Sequence, residues 1–179
     1  MASNPTHSTA DLPQVLMTGP YPAWDMEPLS ASYTIHRLWE SKDRQPFIAA
    51  HAPVVRAIAT RGELGANAEL IAALPKLEII ACYGVGTDAI DLAAARERGI
   101  RVTNTPDVLT DDVADLGVGL ALALLRRIPQ ADAFVRSGAW TDLKAGRPPT
   151  VKGITGRKVG IVGLGDIGLR IARRIAAFE

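Results

Sequence analysis

The stretch KVGIVGLGDIG, residues 158–168, says most about how this chain folds. It opens with a compact apolar run, which is typical of a parallel strand buried on both faces. Gly163, Gly165 and Gly168 then satisfy G-x-G-x-x-G, and residues 169–178 continue with the periodicity of a helix. Gly163 permits a tight turn, Gly165 lets the backbone approach a pyrophosphate, and Gly168 lets the helix pack closely against the strand. Because the N–H groups at a helix start can hold an anion, the stretch predicts a dinucleotide-binding loop.

The composition is that of an ordinary folded protein. The chain has 179 residues, of which 47% are hydrophobic and 22% are charged, and its formal net charge is +1. That charge balance argues against a basic surface for nucleic acid or for an anionic membrane. The single cysteine, Cys82, excludes a disulfide framework and a cysteine-based zinc cluster, and no metal-ligand spacing is found. The three histidines form no catalytic constellation in the sequence: His7, His36 and His51.

Before residue 105, short β-rich runs alternate with helical patterns. Such alternation predicts βαβ units, and therefore an α/β fold with a parallel sheet and helices on its faces. The predicted strands cover residues 15–17, 33–35, 54–60, 77–83 and 100–102. The predicted helices cover residues 23–29, 47–52, 67–74 and 92–98.

Residues 110–127 form the clearest helical segment. Thr110 is a suitable N-cap, two acidic residues follow it where the helix dipole favours negative charge, and Pro129 predicts a stop just beyond the helix. The middle of the segment is apolar on nearly every face, so we expect it to be covered on both sides, between two domains or two subunits. An ordinary core helix is the alternative. Residues 138–155 are predicted to be a connecting loop.

A second glycine-rich turn, residues 84–88, follows the predicted strand that ends at Tyr83. Its two glycines leave backbone N–H groups open to a small anion such as a carboxylate. Arg61 ends another predicted strand, from which its guanidinium could reach the same anion. An ordinary strand-to-helix turn and a surface arginine are the alternative interpretations. Cys82 is expected to pack inside its strand.

Several segments, taken together, are similar to the D-2-hydroxyacid dehydrogenase family. They are residues 85–91 (VGTDAID), 102–106 (VTNTP), 108–116 (VLTDDVADL), 136–140 (RSGAW) and 162–168 (VGLGDIG). The motifs occur in order and most resemble the branch that contains the hydroxyphenylpyruvate, hydroxypyruvate and glyoxylate reductases. Another enzyme with the glycine loop, such as an amino-acid dehydrogenase, would not explain residues 102–116.

The polar residues 1–11 predict a flexible tail, and the resemblance implies two domains after it. Residues 12–106 would form a flavodoxin-like parallel-sheet substrate domain, and residues 107–179 the first, incomplete part of a Rossmann NAD(P)-binding domain. A homodimer through the helix 110–127 is also implied. Substrate binding is implied for the backbone at Val85 and Gly86, with Arg61 nearby. Cofactor contacts are implied for Thr110, near the nicotinamide, and for Gly163, Leu164, Gly165, Asp166, Ile167 and Gly168, around the pyrophosphate.

The implied activity is the reduction of a small 2-oxo acid to a D-2-hydroxy acid by hydride transfer from NAD(P)H. NADP is favoured in this branch, although Asp166 stands where the branch often carries Arg, and the residue that separates NADP from NAD would follow Glu179. The family's catalytic Arg, acidic residue and His match no position here, so we expect a truncated chain without catalytic residues that is inactive alone. A non-catalytic, dinucleotide-sensing or dimerising module, like corepressor relatives of the family, is the alternative.

Neither export nor membrane insertion is expected. The longest apolar stretch, residues 117–125, is too short to span a bilayer. Residues 1–11 are polar and have neither the basic leader nor the apolar block of a signal peptide. We therefore expect a cytoplasmic protein whose partners are a small molecule and a second copy of itself.

Overall fold

The computed structural model describes residues 12–142, 146–148 and 150–178. The predicted tail, residues 1–11, lies outside the described residues, and so does part of the predicted loop 138–155. The chain divides into two compact units, Met1–Pro106 and Asp107–Glu179.

The first unit is built on a parallel sheet. Its strands are β1 (Gln14–Met17), β2 (Thr34–Arg37), β3 (Ala57–Arg61), β4 (Ile79–Tyr83) and β5 (Arg101–Thr103). They pair in the order β2-β1-β3-β4-β5, and all pairs are parallel. The helices of this unit are α1 (Ala23–Ser32), α2 (Arg44–His51), α3 (Ala68–Ala73) and α4 (Leu92–Glu97), and a 3-10 helix covers Leu38–Glu40. Because this strand order is that of flavodoxin-like folds, the predicted fold class is confirmed.

Apolar side chains cover both faces of the sheet. Leu16, Ile58 and Ile80 occupy neighbouring register positions of β1, β3 and β4, and they are fully buried in the larger core cluster. Val15 and Met17 point to the opposite face, where they pack in a second cluster. Each such side chain contributes about 1.5–3 kcal/mol when it is removed from water. Burial on two faces explains why the predicted strands are runs of apolar residues.

Two strands begin later than the hydrophobic runs predict. β3 begins at Ala57 instead of residue 54, because the N–H groups of Val54 and Val55 donate to the carbonyl oxygen of His51 at 3.0 and 3.1 Å. These bonds form the turn after α2. β4 likewise begins at Ile79 instead of residue 77. Val55 is nevertheless fully buried, so hydrophobicity indicates burial here and not strand geometry.

The described part of the second unit consists of helices and connecting segments. The helices are α5 (Thr110–Arg126), α6 (Ile128–Arg136) and α7 (Asp166–Ile175), and a 3-10 helix covers Ala176–Phe178. Thr110, the predicted N-cap of α5, is instead its first helical residue, and Leu109 occupies the N-cap position without a side-chain bond. The predicted and observed helix starts differ by a single position, which is the usual uncertainty of a helix boundary.

Near Pro129, where the sequence predicts that the helix stops, one helix ends and a second helix begins. Arg127 adopts a left-handed conformation with φ 48° and ψ 44°, and it ends α5. Proline is well accommodated in the first turn of a helix, where its missing N–H would have no intrahelical partner. A new helix, α6, therefore begins at Ile128 with Pro129 in its first turn. The sequence pattern does not predict α6.

The strand predicted at residues 158–162 is not formed in the described part of the second unit. A strand requires a neighbour that pairs with its N–H and C=O groups. No described residue of this unit pairs with residues 158–162. Val162 is fully exposed and Val159 is 47% exposed, so the prediction of a strand buried on both faces is wrong for this structure.

One face of α5 is buried within its own unit, where the helix packs against α7. Thr110, Ala114 and Val118 are buried, whereas Leu120 and Leu124 are 61% and 79% exposed. Cover on both sides, as predicted, is therefore not found among the described residues of this unit. Although α5 is apolar, none of the helices in the described ranges has the length and hydropathy needed to cross a bilayer.

Gly65 and Gly99 provide a test of how closely the loops of the first unit pack. Both adopt a left-handed backbone, with φ of +61° and +67°, but a Cβ at Gly65 would lie 1.9 Å from the carbonyl oxygen of Ala89, and one at Gly99 meets no atom within 4 Å. We expect Gly99→Ala to lower the free energy of unfolding by about 1–2 kcal/mol, the cost of a left-handed alanine. Gly65→Ala should cost about 3 kcal/mol or more, because the Ala89 carbonyl must also move. Urea unfolding compares the two, and equal losses would contradict the steric explanation.

Candidate functional site

The carboxyl ends of β1 and β3 meet where the strand order reverses. From β1 the chain moves to β2 on one side, and the later strands follow on the other side, beginning with β3. In open α/β sheets, ligands bind outside the carboxyl ends of the strands at such a point. Thr18 and Thr60 join the two strands there through hydroxyl oxygens 2.7 Å apart, and the Thr60 hydroxyl also donates to the carbonyl oxygen of Gly65 at 2.9 Å. These buried bonds hold the two strand ends in place.

In the loop after β4, residues 84–90, the first carbonyl groups are bonded inside the unit and two N–H groups are available. Its first three carbonyl oxygens all accept hydrogen bonds from inside the unit: Gly84 from the Thr105 amide at 2.9 Å, Val85 from Asn104 Nδ2 at 2.8 Å and Gly86 from Cys82 Sγ at 3.4 Å. Among the described residues, no acceptor receives the N–H groups of Val85 or Gly86. Both residues are exposed. Inward carbonyls and available amides make this loop a suitable binding place for a carboxylate.

Arg61 ends β3 beside this loop, but its guanidinium is engaged elsewhere. A Cβ at Gly62 would lie 3.2 Å from the carbonyl oxygen of Gly86, so the backbone after Arg61 packs directly against the loop. The Arg61 Nε donates to Glu63 at 2.7 Å, Nη2 pairs with the same carboxylate, and Nη1 donates to the carbonyl oxygen of Pro20 at 3.2 Å. The hydrogen bonds from Arg61 to Glu63 hold the pKa of the Glu63 carboxyl below its usual value. The structure places Arg61 next to the loop 84–90, with its charge balanced by Glu63.

Two tyrosines line the same edge, and the sequence pattern does not identify them. The ring centroids of Tyr21, which follows β1, and Tyr83, the last residue of β4, lie 4.8 Å apart. The Tyr21 hydroxyl donates to the carbonyl oxygen of Thr60 at 2.9 Å, and the Tyr83 hydroxyl donates to Asp25 Oδ2 at 3.2 Å. Burial raises the pKa of Tyr21 to about 12, and the charge of Asp25 raises the pKa of Tyr83. Both hydroxyls therefore remain protonated donors near neutral pH. The position of Tyr83 directly before the glycine turn is the signal that could have identified it.

The glycine loop of the second unit leaves N–H groups available at the start of α7. Gly163 has φ +91°, a conformation that favours glycine, and Gly165 is the N-cap of α7. A Cβ at Gly168 would lie 2.1 Å from the carbonyl oxygen of Gly163, so this glycine lets the loop fold onto the helix. A Cβ at Gly165 would meet no atom within 4 Å, which leaves the approach open. No described acceptor receives the N–H groups of residues 166–168. This first turn therefore suits a pyrophosphate.

Each unit contains one group of the predicted site residues. Val85, Gly86 and Arg61 share the carboxyl edge of the sheet in the first unit. In the second unit, Gly163, Leu164, Gly165, Asp166, Ile167 and Gly168 form the loop and the first turn of α7. Thr110 is the buried first residue of α5, the helix that packs against α7. The Asp166 carboxylate lies in the first turn, where it suits the helix dipole and adds no attraction for a phosphate.

The histidines and the cysteine of the described part have structural contacts. His36 and His51 have ring centroids 4.1 Å apart, and His36 Nε2 lies 2.8 Å from Gln14 Oε1. Burial and the neighbouring His51 lower the pKa of His36. Cys82 is buried, which confirms its predicted packing inside the strand. No group of three His, Cys, Asp or Glu residues able to hold a metal ion occurs among the described residues.

Ion pairs join α7 to α5 in the second unit. Asp111 pairs with Arg170 and, at 2.9 Å, with Arg174, and Asp115 pairs with Arg174. Hydrogen bonds from the two arginines hold the pKa of the Asp111 carboxyl below its usual value. Each pair is largely exposed and therefore contributes little by itself. Together the pairs orient α7, whose first turn carries the available N–H groups.

The chain is similar to one family of enzymes over most of its length. A family profile described as "D-isomer specific 2-hydroxyacid dehydrogenase, catalytic domain" matches residues 15–166. The hydroxyphenylpyruvate reductase of Plectranthus scutellarioides is 47% identical over 165 residues, which cover 92% of this chain and 52% of that protein. The structure of a 2-hydroxyacid dehydrogenase from Ketogulonicigenium vulgare Y25 has a TM-score of 0.86 at 57% identity, over 93% of this chain and 52% of that one.

A third similar protein was solved with ligands. The NADPH-dependent glyoxylate/hydroxypyruvate reductase of Sinorhizobium meliloti, in complex with NADP and malonate, has a TM-score of 0.76 at 42% identity, over 93% of this chain and 50% of that one. The chain thus spans about half the length of the relatives that it matches.

Asp111→Asn should weaken the packing of α7 in a pH-dependent way. Folding lowers the pKa of Asp111 from 3.8, so its stabilising effect is complete above that value and is lost as the pH falls through the lower folded pKa. At neutral pH we expect the variant to lower the unfolding temperature by a few degrees at most. Asp112→Asn is the matched control, because Asp112 forms no ion pair within the described ranges. Circular dichroism at neutral pH and near pH 2 measures both, and equal effects of the two variants would contradict the role of the Asp111 ion pairs.

Proposed function

We propose a function from the family of the chain, which belongs to the D-isomer specific 2-hydroxyacid dehydrogenases. In this proposal, the protein reduces a small 2-oxo acid to the D-2-hydroxy acid with NAD(P)H. The proposed substrates are of the hydroxypyruvate, glyoxylate or hydroxyphenylpyruvate type. The observation that carries the proposal is the loop 84–90, whose first carbonyl groups are bonded inside the unit and whose Val85 and Gly86 N–H groups are available.

The substrate carboxylate is proposed to bind the N–H groups of Val85 and Gly86. Asn104 supports this arrangement as a positioning residue, because its Nδ2 donates to the Val85 carbonyl at 2.8 Å and so keeps that carbonyl away from the anion. Arg61 is the nearby positive charge, and it adds attraction for an anion while Glu63 limits its reach. Residues 12–106 are thus the proposed substrate domain.

Residues 107–179 are the proposed first part of the NAD(P)-binding domain. The N–H groups of residues 166–168 would hold the pyrophosphate, with Leu164 and Gly165 lining the approach and Gly168 keeping the loop on the helix. Thr110 is proposed to lie near the nicotinamide. When bound, NAD(P)H supplies the hydride for the reaction. NADP is the favoured form, and the S. meliloti relative, an NADPH-dependent reductase solved with NADP, supports this choice.

In the proposed reaction, C2 of the 2-oxo acid gains a hydride and its oxygen gains a proton, so that NAD(P)H becomes NAD(P)⁺. The part played by Val85 and Gly86 is to bind and orient the substrate by its carboxylate, which removes much of the entropic cost of bringing two reactants together. The test is the loss of NAD(P)H absorbance with glyoxylate, hydroxypyruvate and hydroxyphenylpyruvate, measured on the protein at its natural length. Dinucleotide binding without reduction of any of these acids would instead favour the non-catalytic sensing module.

Gly165→Val tests the proposed pyrophosphate site. A Cβ at Gly165 meets no atom within 4 Å, so we expect the variant to fold normally while its side chain occupies the space of the phosphates. The Kd for NADPH should rise about tenfold or more, which corresponds to about 1.4 kcal/mol. Gly153→Val is the matched control, because its Cβ also meets open space but lies outside the glycine loop. Calorimetric titration measures both, and an unchanged Kd for Gly165→Val would exclude this loop as the site.

A homodimer through the helix 110–127 is the proposed assembly, because the exposed face of α5 carries Leu120 and Leu124. Leu124→Lys places a charge in that face, and we expect it to shift the protein from dimer to monomer, since an unpaired buried charge is costly. Val54→Lys introduces the same charge at an exposed apolar position of the first unit and should leave the dimer intact. Light scattering coupled to gel filtration measures the masses. A dimer that survives Leu124→Lys would contradict the proposed interface.

A further inference from the structure

The proposed carboxylate site does not by itself select one 2-oxo acid from another. Val85 and Gly86 would bind through their backbone N–H groups, and every 2-oxo acid carries the same carboxylate. Selection must therefore come from side chains that face the rest of the substrate, and those next to this loop are candidates. Tyr83 immediately precedes the loop, and Tyr21 packs against Tyr83 at the same edge of the sheet. We refer to these two residues as the tyrosine pair.

The tyrosine pair is a fixed aromatic surface. The two rings are tilted by 34° with centroids 4.8 Å apart, Tyr21 is half-buried, and Tyr83 is 46% exposed. Each ring is also held at its hydroxyl end, Tyr21 by the Thr60 carbonyl and Tyr83 by the Asp25 carboxylate. Because both rings are already ordered, little conformational entropy is lost when a ligand packs against them.

The tyrosine pair offers its apolar rings to a ligand, because the protons of both hydroxyls are already engaged. Each hydroxyl donates its proton to a protein acceptor, and the adjacent Arg61 guanidinium is engaged with Glu63 and Pro20. A polyhydroxylated chain that lost water here would receive no hydrogen bond from the two tyrosine hydroxyls or from the Arg61 guanidinium, so its loss of water would be only partly compensated. An aryl group would gain stacked or edge contacts with the exposed Tyr83 ring. Glyoxylate has no side chain to make such contacts.

We propose that the tyrosine pair is the subsite for the part of the substrate beyond the 2-oxo acid group, and that it selects 2-oxo acids with an aryl side chain over glyoxylate and over polyhydroxylated 2-oxo acids. This inference rests on the proposed function, since it assumes a 2-oxo acid bound by its carboxylate at Val85 and Gly86. It assigns Tyr21 and Tyr83 to substrate specificity, and it assigns Asp25 to holding the Tyr83 ring in position.

The test compares kcat/KM for phenylpyruvate, glyoxylate and 2-ketogluconate with NADPH, in the protein at its natural length. We expect the unmodified protein to prefer phenylpyruvate. Tyr83→Ala should lower kcat/KM for phenylpyruvate about tenfold or more, mainly through KM, and change the value for glyoxylate less than about threefold. Tyr83→Phe retains the ring but loses its bond to Asp25, so it should keep a preference for phenylpyruvate, with a smaller loss than Tyr83→Ala.

Tyr33→Ala is the matched control. Tyr33 is 39% exposed and directly precedes β2, so it lies at the amino edge of the sheet, opposite to the tyrosine pair. Its removal should change none of the three values. Circular dichroism verifies that each variant is folded.

The outcomes separate this inference from the function on which it rests. If the protein reduces glyoxylate but does not prefer phenylpyruvate, or if folded Tyr83→Ala loses both substrates equally, the subsite is refuted and the proposed function stands. If neither these three acids nor hydroxypyruvate and hydroxyphenylpyruvate are reduced, the proposed function fails, and the subsite fails with it. A preference for phenylpyruvate that disappears in Tyr83→Ala and persists in Tyr33→Ala and Tyr83→Phe supports the subsite.

Discussion

All five strands of the first unit run in one direction, and this constraint decides where a ligand can bind. Apolar clusters cover both faces of the sheet, so neither face is open to a polar ligand. The carboxyl ends of β1, β3 and β4 lie at a common edge of the sheet. Beyond this edge the backbone N–H and C=O groups no longer pair between strands, so they need other partners. The carbonyl groups of Gly84, Val85 and Gly86 are bonded inside the unit, and the N–H groups of Val85 and Gly86 are left for an external acceptor.

The two proposed anion sites are made mainly of backbone. In the first unit the nearby cation, Arg61, is already paired with Glu63, and in the second unit Asp166 brings a negative charge to the start of α7. Attraction for an anion at either site therefore depends on correctly oriented N–H groups. The N–H groups are oriented correctly only when the backbone packs closely, and glycine allows this packing because it has no side chain. At Gly168, for example, a Cβ would lie 2.1 Å from the carbonyl oxygen of Gly163. This explains why glycines, and not charged residues, mark both sites in the sequence.

Features that depend on neighbours in sequence were predictable, and those that depend on pairing across the fold were not. The alternation of apolar runs with helical patterns predicts the α/β fold, and the two glycine turns predict available N–H groups, because both are local properties. The run 158–162 has the composition of a buried strand, yet no described residue of its unit pairs with it, and composition alone cannot supply a partner. α6 was not predicted because Pro129 is compatible with both the end of one helix and the first turn of the next. Tyr21, which follows β1, and Tyr83, which ends β4, are distant in sequence and meet only when the sheet forms.

In the proposed enzyme, backbone groups bind the substrate carboxylate, and side chains select one substrate over another. A backbone site recognises the group that all 2-oxo acids share, and it changes only if the loop itself moves. The tyrosine pair contacts nothing in that loop through its hydroxyls, since these are bonded to Thr60 and Asp25. The hydroxyls at positions 21 and 83 are therefore not part of the carboxylate site, whereas a side chain at Gly62 would press on the Gly86 carbonyl. In the proposed enzyme, the binding of the carboxylate thus depends on the packing of the sheet edge, and the choice among 2-oxo acids depends on the side chains beside it.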